Sequence, residues 1–110
     1  MKKIYVAGPY TALDPRLTQE NVNRAMEIGN ELIRKGWAPF LPHLSHYLWL
    51  HPNGNFDYSV WTELDFEWLK CCDAFYYISP SKGADAELME AKIMGIPIYW
   101  KLEQVPNLRE

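Results

Sequence analysis

Two acidic residues, Asp65 and Glu87, have the chemistry and the spacing to act on a sugar. Asp65 falls four residues after Trp61 and three before Trp68, which places a carboxylate on the apolar stripe of a predicted helix. Burial there would raise its pKa and let it hold or pass a proton. Glu87 follows the turn of residues 79–83. Paired acids of this kind indicate glycosyl chemistry, in which one attacks the anomeric carbon and the other assists the leaving group.

Each acid also has a purely structural interpretation. A glutamate near the start of a helix interacts favourably with the positive end of the helix dipole, and this alone could explain Glu87. Asp65 could form an ion pair or cap a helix at the protein surface. Spacing by itself leaves the catalytic and structural interpretations open for both residues.

The loops that follow three predicted strands offer groups that could bind a ligand. In open parallel sheets, ligands bind outside the carboxyl ends of the strands, where the connections diverge. In the loop after the third strand, Ser81 and Gly83 precede a helix whose free N–H groups suit a phosphate or sugar hydroxyls. The candidate binding residues are Gly8, Pro9 and Tyr10 after the first strand, His43 after the second, and Ser81 and Gly83 after the third.

The elements that must position these residues can be read from the apolar pattern. Short β-prone runs predict strands at residues 4–7, 37–41, 74–78 and 96–100, with the second either at an edge or bulged because Pro39 lacks an N–H. Helices are predicted from a cap at Thr18 to Gly36, from a cap at Ser59 to Cys72, and over residues 84–94.

This alternation predicts an α/β fold with a parallel sheet of four to five strands and right-handed crossovers. We expect a single-domain, flavodoxin-like or Rossmann-like three-layer sandwich over residues 1–110. Residues 42–58 follow neither the helical nor the strand period, and are predicted to form a long loop that could act as a lid.

Composition favours a small ligand over nucleic acid. The 11 Lys and Arg residues are scattered along a chain of net charge −3, without the basic stripe that a protein tracking long nucleic acid needs. No apolar segment predicts a signal peptide or a membrane span, so we expect a cytoplasmic protein. Adjacent Cys71 and Cys72 lack the spaced partners of a zinc site and are predicted to be buried thiols.

Histidine and aromatic residues in the first half of the chain add further candidates. The cluster of His43, His46 and His51 favours polar contacts from a lid over metal binding, because no Cys or Asp completes a ligand set at familiar spacing. Four aromatic side chains could stack on a planar base, or could equally pack in the core or at a subunit interface. They are Tyr10, Tyr47, Trp49 and Trp61. Arg24 could reach the sugar or phosphate if its helix begins near the cleft, but its helical spacing favours a solvated face.

Three motifs in order resemble those of the nucleoside 2-deoxyribosyltransferase family. They are KKIYVAGPY at the start, DFEWLKCCDAF in the middle and SPSKGADAELMEAKIMGIPI near the end. Within that family the sequence looks closest to the 2'-deoxynucleoside 5'-phosphate N-hydrolases. The loop Gly8-Pro9-Tyr10-Thr11 differs from the glycine- and arginine-bearing loop that helps hold phosphate in those hydrolases.

The resemblance implies an enzyme that cleaves or exchanges the N-glycosidic bond of a nucleoside or nucleoside 5'-monophosphate. It implies that Glu87 is the nucleophile, that Tyr5 orients it and that Asp65 assists the departing base. Ser81 matches the position that contacts sugar or phosphate, and Gly83 keeps the loop tight. The resemblance also implies that no cofactor is needed and that the protein forms a homodimer or a larger homo-oligomer.

Two functional alternatives stay open on the sequence. Hydrolase and transferase differ only in whether water or a second base reaches the covalent intermediate, so residue identity does not separate them. A non-catalytic nucleotide-binding regulatory module could keep the same pocket without turnover. The set of Tyr5, Asp65 and Glu87 favours the enzyme.

Overall fold

Strands and helices succeed one another along the chain in a computed structural model that describes residues 1–109. In order, the elements are β1 (Lys3–Ala7), α1 (Pro15–Arg34), β2 (Ala38–Phe40), α2 (Ser45–Leu50), α3 (Tyr58–Leu69), β3 (Ala74–Tyr77), α4 (Lys82–Met94) and β4 (Ile98–Tyr99). Short 3₁₀ helices cover Pro42–Leu44 and Leu102–Gln104. The predicted α/β class with a parallel sheet is confirmed, although β4 is shorter than the run of residues 96–100.

The four strands form one parallel sheet in the order β2-β1-β3-β4. Of the two alternatives predicted for the second strand, the sheet has the edge position, and Pro39 lies opposite Ile4 there. From β1 the chain runs outward through α1 to β2, and then crosses back to β3 on the other side of β1. The connections therefore diverge between β1 and β3, where an open parallel sheet binds its ligands.

Alternation along β1 divides its buried side chains between the two faces of the sheet. Ile4 and Val6 belong to one apolar cluster, which includes residues from α1. Tyr5 and Ala7 belong to a second cluster, which includes residues from α3 and α4. The fold is therefore a three-layer sandwich, as predicted, and Tyr5 lies on the face that α3 and α4 cover.

The first helix begins earlier than the sequence pattern predicted. Asp14 is its N-cap, with its side chain accepting a hydrogen bond from the N–H of Arg16 at 2.9 Å, and Pro15 occupies the first turn. Thr18 is therefore not the cap; its hydroxyl accepts from the N–H of Ala12 at 3.0 Å. Aspartate followed by proline is a strong start signal, and it outweighed the later threonine.

Residues 42–58 are not the long loop that was predicted. They contain a 3₁₀ helix, α2 and the first residue of α3, which follows Asp57 rather than a cap at Ser59. Gly54 packs this segment tightly, because a Cβ built there would lie 1.8 Å from the carbonyl oxygen of Leu48. The six residues of α2 are fewer than two helical turns, too few for a visible period.

The predicted apolar stripe of α3 is only partly buried. Leu64 and Trp68 are 46% and 55% exposed, and Leu69 is the buried residue of this helix. Cys72 is buried but Cys71 is exposed, so the prediction of two buried thiols was wrong for Cys71. Apolar side chains lie on several sides of α3, and the sheet and α4 cover only part of them. Over residues 1–109, no helix is both long enough and apolar enough to span a bilayer.

The end of β1 lies so close to the end of β3 that there is little room for a side chain at Gly8. In Gly8→Ala the new Cβ would lie 2.8 Å from the Cβ of Ile78, an atom fixed by its own backbone. We expect the substitution to lower the free energy of unfolding by about 1–3 kcal/mol in urea titrations. The control is Gly83→Ala, where the nearest atom is the Tyr58 hydroxyl at 3.5 Å. Because Gly83 is helical, Gly83→Ala should raise the free energy of unfolding by up to about 1 kcal/mol. Equal free energies of unfolding for the two variants would contradict this packing.

Candidate active site

A cavity of about 630 Å³ opens at the carboxyl ends of β1 and β3. Its volume falls within the range of sites that hold small molecules, roughly 300–1,000 Å³. Every connection after β1, β2 and β3 contributes to the wall, as the divergence of the chain at this edge requires. The lining includes Gly8, Tyr10, His43, His46, Trp49, Trp61, Asp65, Ser81, Lys82, Gly83 and Glu87.

Tyr5 and Glu87 form a buried hydrogen bond beneath this cavity. The Tyr5 hydroxyl donates to Oε2 of Glu87, joining β1 to α4 across 82 residues of sequence. The Tyr5 ring is held by Phe40 and Phe75, whose ring centroids lie 5.6 and 5.8 Å away. The hydroxyl therefore has a fixed direction, and the carboxylate of Glu87 is positioned by a rigid donor.

Glu87 lies on the buried side of α4, between two small residues of the same stripe. The buried residues of this helix are Ala84, Glu87 and Ala91, which follow the i, i+3, i+7 spacing of one helix face. This spacing was present in the sequence and predicts an inward-facing carboxylate more directly than the distance of Glu87 from the helix start. Interaction with the helix dipole is therefore not a sufficient account of Glu87.

Burial sets the protonation of this pair. It raises the pKa of Glu87 to about 7; the nearby Asp65 charge adds to the effect and the Tyr5 hydrogen bond opposes it. The pKa of Tyr5 is raised well above its usual value, by burial and then by the Glu87 charge, so the phenol keeps its proton and acts as the donor. Oε1 of Glu87 makes no hydrogen bond within residues 1–109, which leaves it available to a ligand.

Asp65 is the second carboxyl of the cavity. It is half-buried on α3, and burial raises its pKa to about 7. No ion pair or helix cap involving Asp65 is present in the described part of the chain. The Asp65 charge also raises the pKa of Glu87, so ionisation of Asp65 disfavours ionisation of Glu87.

The structure brings most of the predicted binding residues to the cavity and gives some of them structural contacts as well. Pro9 lies outside the lining; its carbonyl oxygen is 3.1 Å from Nε2 of His43. His43 is almost fully buried, which lowers its pKa and keeps it neutral, while the carbonyls of Pro9 and Gly8 partly oppose the effect. The hydroxyl of Ser81 caps α4 by accepting from the N–H of Ala84 at 3.0 Å.

The aromatic and histidine candidates separate into two groups. Tyr10, Trp49 and Trp61 line the cavity, whereas Tyr47 and His51 are exposed and do not line it. The structure also adds lining residues that the sequence analysis did not single out, among them Phe56, Tyr58 and Lys82. Lys82 lies between Ser81 and Gly83, so its position was readable from theirs. Over residues 1–109, no three His, Cys, Asp or Glu side chains are grouped so as to hold a metal ion.

Comparison with protein families gives one match that covers most of the chain. A family model described as a domain of unknown function, DUF7768, matches residues 2–101. The chain belongs to the DUF7768 family. No curated protein matches this DUF7768 chain at a significant level.

Solved structures share the fold of this DUF7768 chain at low sequence identity. A conserved protein from Enterococcus faecalis V583 has a TM-score of 0.62 at 22% identity, over 89% of this chain and 61% of that one. A 2-deoxyribosyltransferase from Bacillus psychrosaccharolyticus has a TM-score of 0.62 at 21% identity, over 87% of this chain and 69% of that one.

A third structural neighbour is a 2-deoxyribosyltransferase from Leishmania mexicana. It has a TM-score of 0.58 at 21% identity, over 89% of this chain and 62% of that one. The DUF7768 chain therefore spans less than two thirds of the Enterococcus and Leishmania proteins. At these identities the three neighbours establish the three-layer α/β fold.

The raised pKa values of Glu87 and Asp65 predict a pH-dependent stability. A carboxyl whose pKa is higher in the folded state stabilises the fold fully below its unfolded pKa and loses that contribution as pH rises through the folded value. From about pH 4 to about pH 8 the protein should therefore lose on the order of 5 kcal/mol of unfolding free energy relative to a Glu87→Gln/Asp65→Asn double variant, with the larger part from Glu87 because solvent screens the half-buried Asp65.

Urea titrations at several pH values measure this difference. The exposed residue Glu63 supplies the control, because Glu63→Gln should follow the wild-type pH dependence. Parallel pH curves for the wild type and the double variant would show that neither acid is buried as described.

Proposed function

We propose that this protein cleaves or exchanges the N-glycosidic bond of a nucleoside or nucleoside 5'-monophosphate, through a covalent glycosyl intermediate on Glu87. The observation that carries the proposal is the Tyr5–Glu87 hydrogen bond beneath a cavity that Asp65 also lines. Two structural neighbours are 2-deoxyribosyltransferases, and their shared fold supports the same class of reaction.

The reaction requires one acid of the pair to be ionised and the other protonated. Oε1 of Glu87 attacks the anomeric carbon, and the bond from that carbon to the base nitrogen breaks with its electron pair leaving on the base. Asp65 in its protonated form gives a proton or a hydrogen bond to the departing base. Water or a second base then attacks the anomeric carbon, and the bond from that carbon to Oε1 breaks to release the Glu87 carboxylate. The proton that the water or the second base loses passes to Asp65, or to the departed base where Asp65 has kept its own proton.

Burial of the two acids favours a singly protonated pair near neutral pH, and the proposed reaction uses the form of the pair in which Glu87 is ionised. Both acids have a pKa of about 7, and the charge of one disfavours ionisation of the other. The singly protonated pair is therefore abundant near neutral pH, which is the state that supplies one nucleophile and one acid. Tyr5 keeps its proton and restrains Oε2, so that attack comes from Oε1.

The 5' end of the substrate would lie at the start of α4. Ser81 and Lys82 line the cavity there, beside the free N–H groups of the first helical turn. A hydroxyl, an ammonium group and these amides suit a 5'-hydroxyl or a 5'-phosphate, in line with the likeness to the 5'-phosphate N-hydrolases. We place the activity in a single domain over residues 1–110. We also propose that a second copy covers the exposed apolar residues of α3.

The leading test is base release from a panel of nucleosides and 5'-monophosphates, followed by chromatography. We expect Glu87→Gln to lower kcat/KM by about 10³-fold or more, because it removes the nucleophile. Glu90→Gln is the matched control, since Glu90 lies one turn further along α4 and does not line the cavity. Intact mass spectrometry of acid-quenched wild type should detect a glycosyl adduct that the Glu87→Gln protein lacks.

Several outcomes of this test would redirect the proposal. Equal activity of Glu87→Gln and the wild type would exclude Glu87 as nucleophile. A nucleotide that binds tightly in calorimetry without being consumed would identify a non-catalytic binding module. Supplying a second base and finding an exchanged nucleoside would identify a transferase, and free sugar alone a hydrolase.

Tyr5→Phe tests the positioning of the nucleophile. The hydrogen bond from Tyr5 lowers the pKa of Glu87, so its removal should raise that pKa and move the ascending limb of the pH–rate profile to higher pH. We also expect kcat to fall by about 10- to 100-fold, since the carboxylate loses its fixed direction. A reduced rate with an unmoved limb would show that Tyr5 has only a packing role.

A further inference from the structure

A tyrosine and a histidine form a hydrogen-bonded pair in the wall of the cavity. The hydroxyl of Tyr10, in the loop after β1, lies 2.8 Å from Nδ1 of His46, the second residue of α2. Both side chains line the cavity, and His46 is only 7% exposed. The proposed reaction does not use this pair.

The hydrogen bond determines which atom of His46 is left for a ligand. Burial raises the pKa of Tyr10, so its phenol keeps a proton and can donate it to Nδ1. With Nδ1 accepting the proton of Tyr10, the neutral ring carries its own proton on Nε2, where it can donate to a ligand. Nε2 makes no hydrogen bond within residues 1–109. His43 Nδ1 and Trp61 Nε1 are the side-chain atoms that are both buried and without a partner in the described residues. Because Nε2 of His46 has no partner and is not one of them, it is accessible to a ligand.

Neighbouring contacts hold the pair in one orientation. The side-chain amide of Asn21 on α1 donates to the carbonyl oxygen of Tyr10 at 3.1 Å, which anchors the loop. The ring of Tyr47 meets His46 edge to face, with centroids 5.3 Å apart and planes at 74°. A donor whose orientation is already set gives up little conformational freedom when a ligand binds.

We propose that His46 is a specificity-determining residue, whose Nε2–H donates a hydrogen bond to an acceptor atom of a heterocyclic base. The inference rests on the proposed function in one respect, namely that the ligand is a nucleoside. Trp49 and Trp61 supply aromatic surface in the same cavity, which suits a planar ring with an in-plane nitrogen or carbonyl oxygen. A base without that acceptor would leave the histidine donor unpaired and would bind more weakly.

Isosteric substitutions separate ligand binding from loop anchoring. His46→Asn keeps a polar group near Nδ1 and Tyr10 but removes the donor at Nε2. His46→Gln places an amide near Nε2 and gives up the contact with Tyr10. His51→Asn is the control, because His51 is exposed and does not line the cavity. Urea titrations of each variant establish that it is folded.

Calorimetry in the Glu87→Gln background measures binding without turnover. The probes are 2'-deoxyinosine, 2'-deoxyuridine and their 5'-monophosphates. For the probe that binds most tightly, we expect His46→Asn to weaken binding about 10-fold and His46→Gln less than about 3-fold, with His51→Asn unchanged. If His46→Asn binds this probe as tightly as the Glu87→Gln protein with His46 unchanged, the proposal is overturned. A loss in His46→Gln as large as in His46→Asn would do the same, since it indicates loop anchoring.

Analogues of the same probe locate the acceptor. In these analogues the ring nitrogens of the base are replaced by C–H, one at a time. One analogue should bind the protein that retains His46 more weakly than the parent probe does. The difference between that analogue and the parent probe should largely vanish in His46→Asn. If instead only a sugar or phosphate analogue shows this dependence, the assignment to the base is wrong. Base release by the wild type tests the enzyme separately, so turnover without any His46 effect would refute only this inference. Binding that depends on His46 without base release would refute only the enzymatic function.

Discussion

The hydrogen bond between Tyr5 and Glu87 is the constraint on which the architecture of the site depends. It joins the central strand β1 to α4, and both partners are buried. For the bond to form, Tyr5 must face the α4 side of the sheet and Glu87 must face inward from the helix. The alternation of β1 meets the first requirement, since Ile4 and Val6 occupy the opposite face. The stripe of Ala84 and Ala91 meets the second.

The small residues of α4 also determine how near the helix lies to the sheet. Alanines on both sides of Glu87 let α4 pack closely on β1 and β3, within reach of the Tyr5 hydroxyl. Larger side chains there would hold the helix further from the strands. Close packing excludes water from the carboxyl, and this same exclusion raises its pKa to about 7. Thus a packing feature of the helix sets the chemistry of its glutamate.

The sequence was sufficient for the parts of the fold that follow a local period or a chemical rule. The strand runs predicted a parallel sheet, which is confirmed, and Pro39 predicted an edge or bulged strand, of which the structure has the edge strand. It was insufficient where a short element or a tertiary partner decides. The six residues of α2 show no period, and the exposure of Trp68 depends on what covers α3. The meeting of Tyr5 with Glu87 was implied only by the family resemblance, because it needs the register of β1 and β3, which no local pattern contains.

One side of the cavity carries acids and the other carries aromatic and imidazole groups, and this difference follows from the topology. The acids come from α3 and α4, helices that pack on one face of the sheet, whereas Tyr10 and His46 come from the loop after β1 and from α2. Breaking a bond between a sugar and a base needs electron donation at the sugar carbon and recognition of an uncharged, planar leaving group. Carboxyls held against the sheet can supply the first. Aromatic and imidazole groups on the connecting segments can supply the second. Substitutions in these segments leave the buried Tyr5–Glu87 pair undisturbed, so recognition of the base can vary independently of the acids.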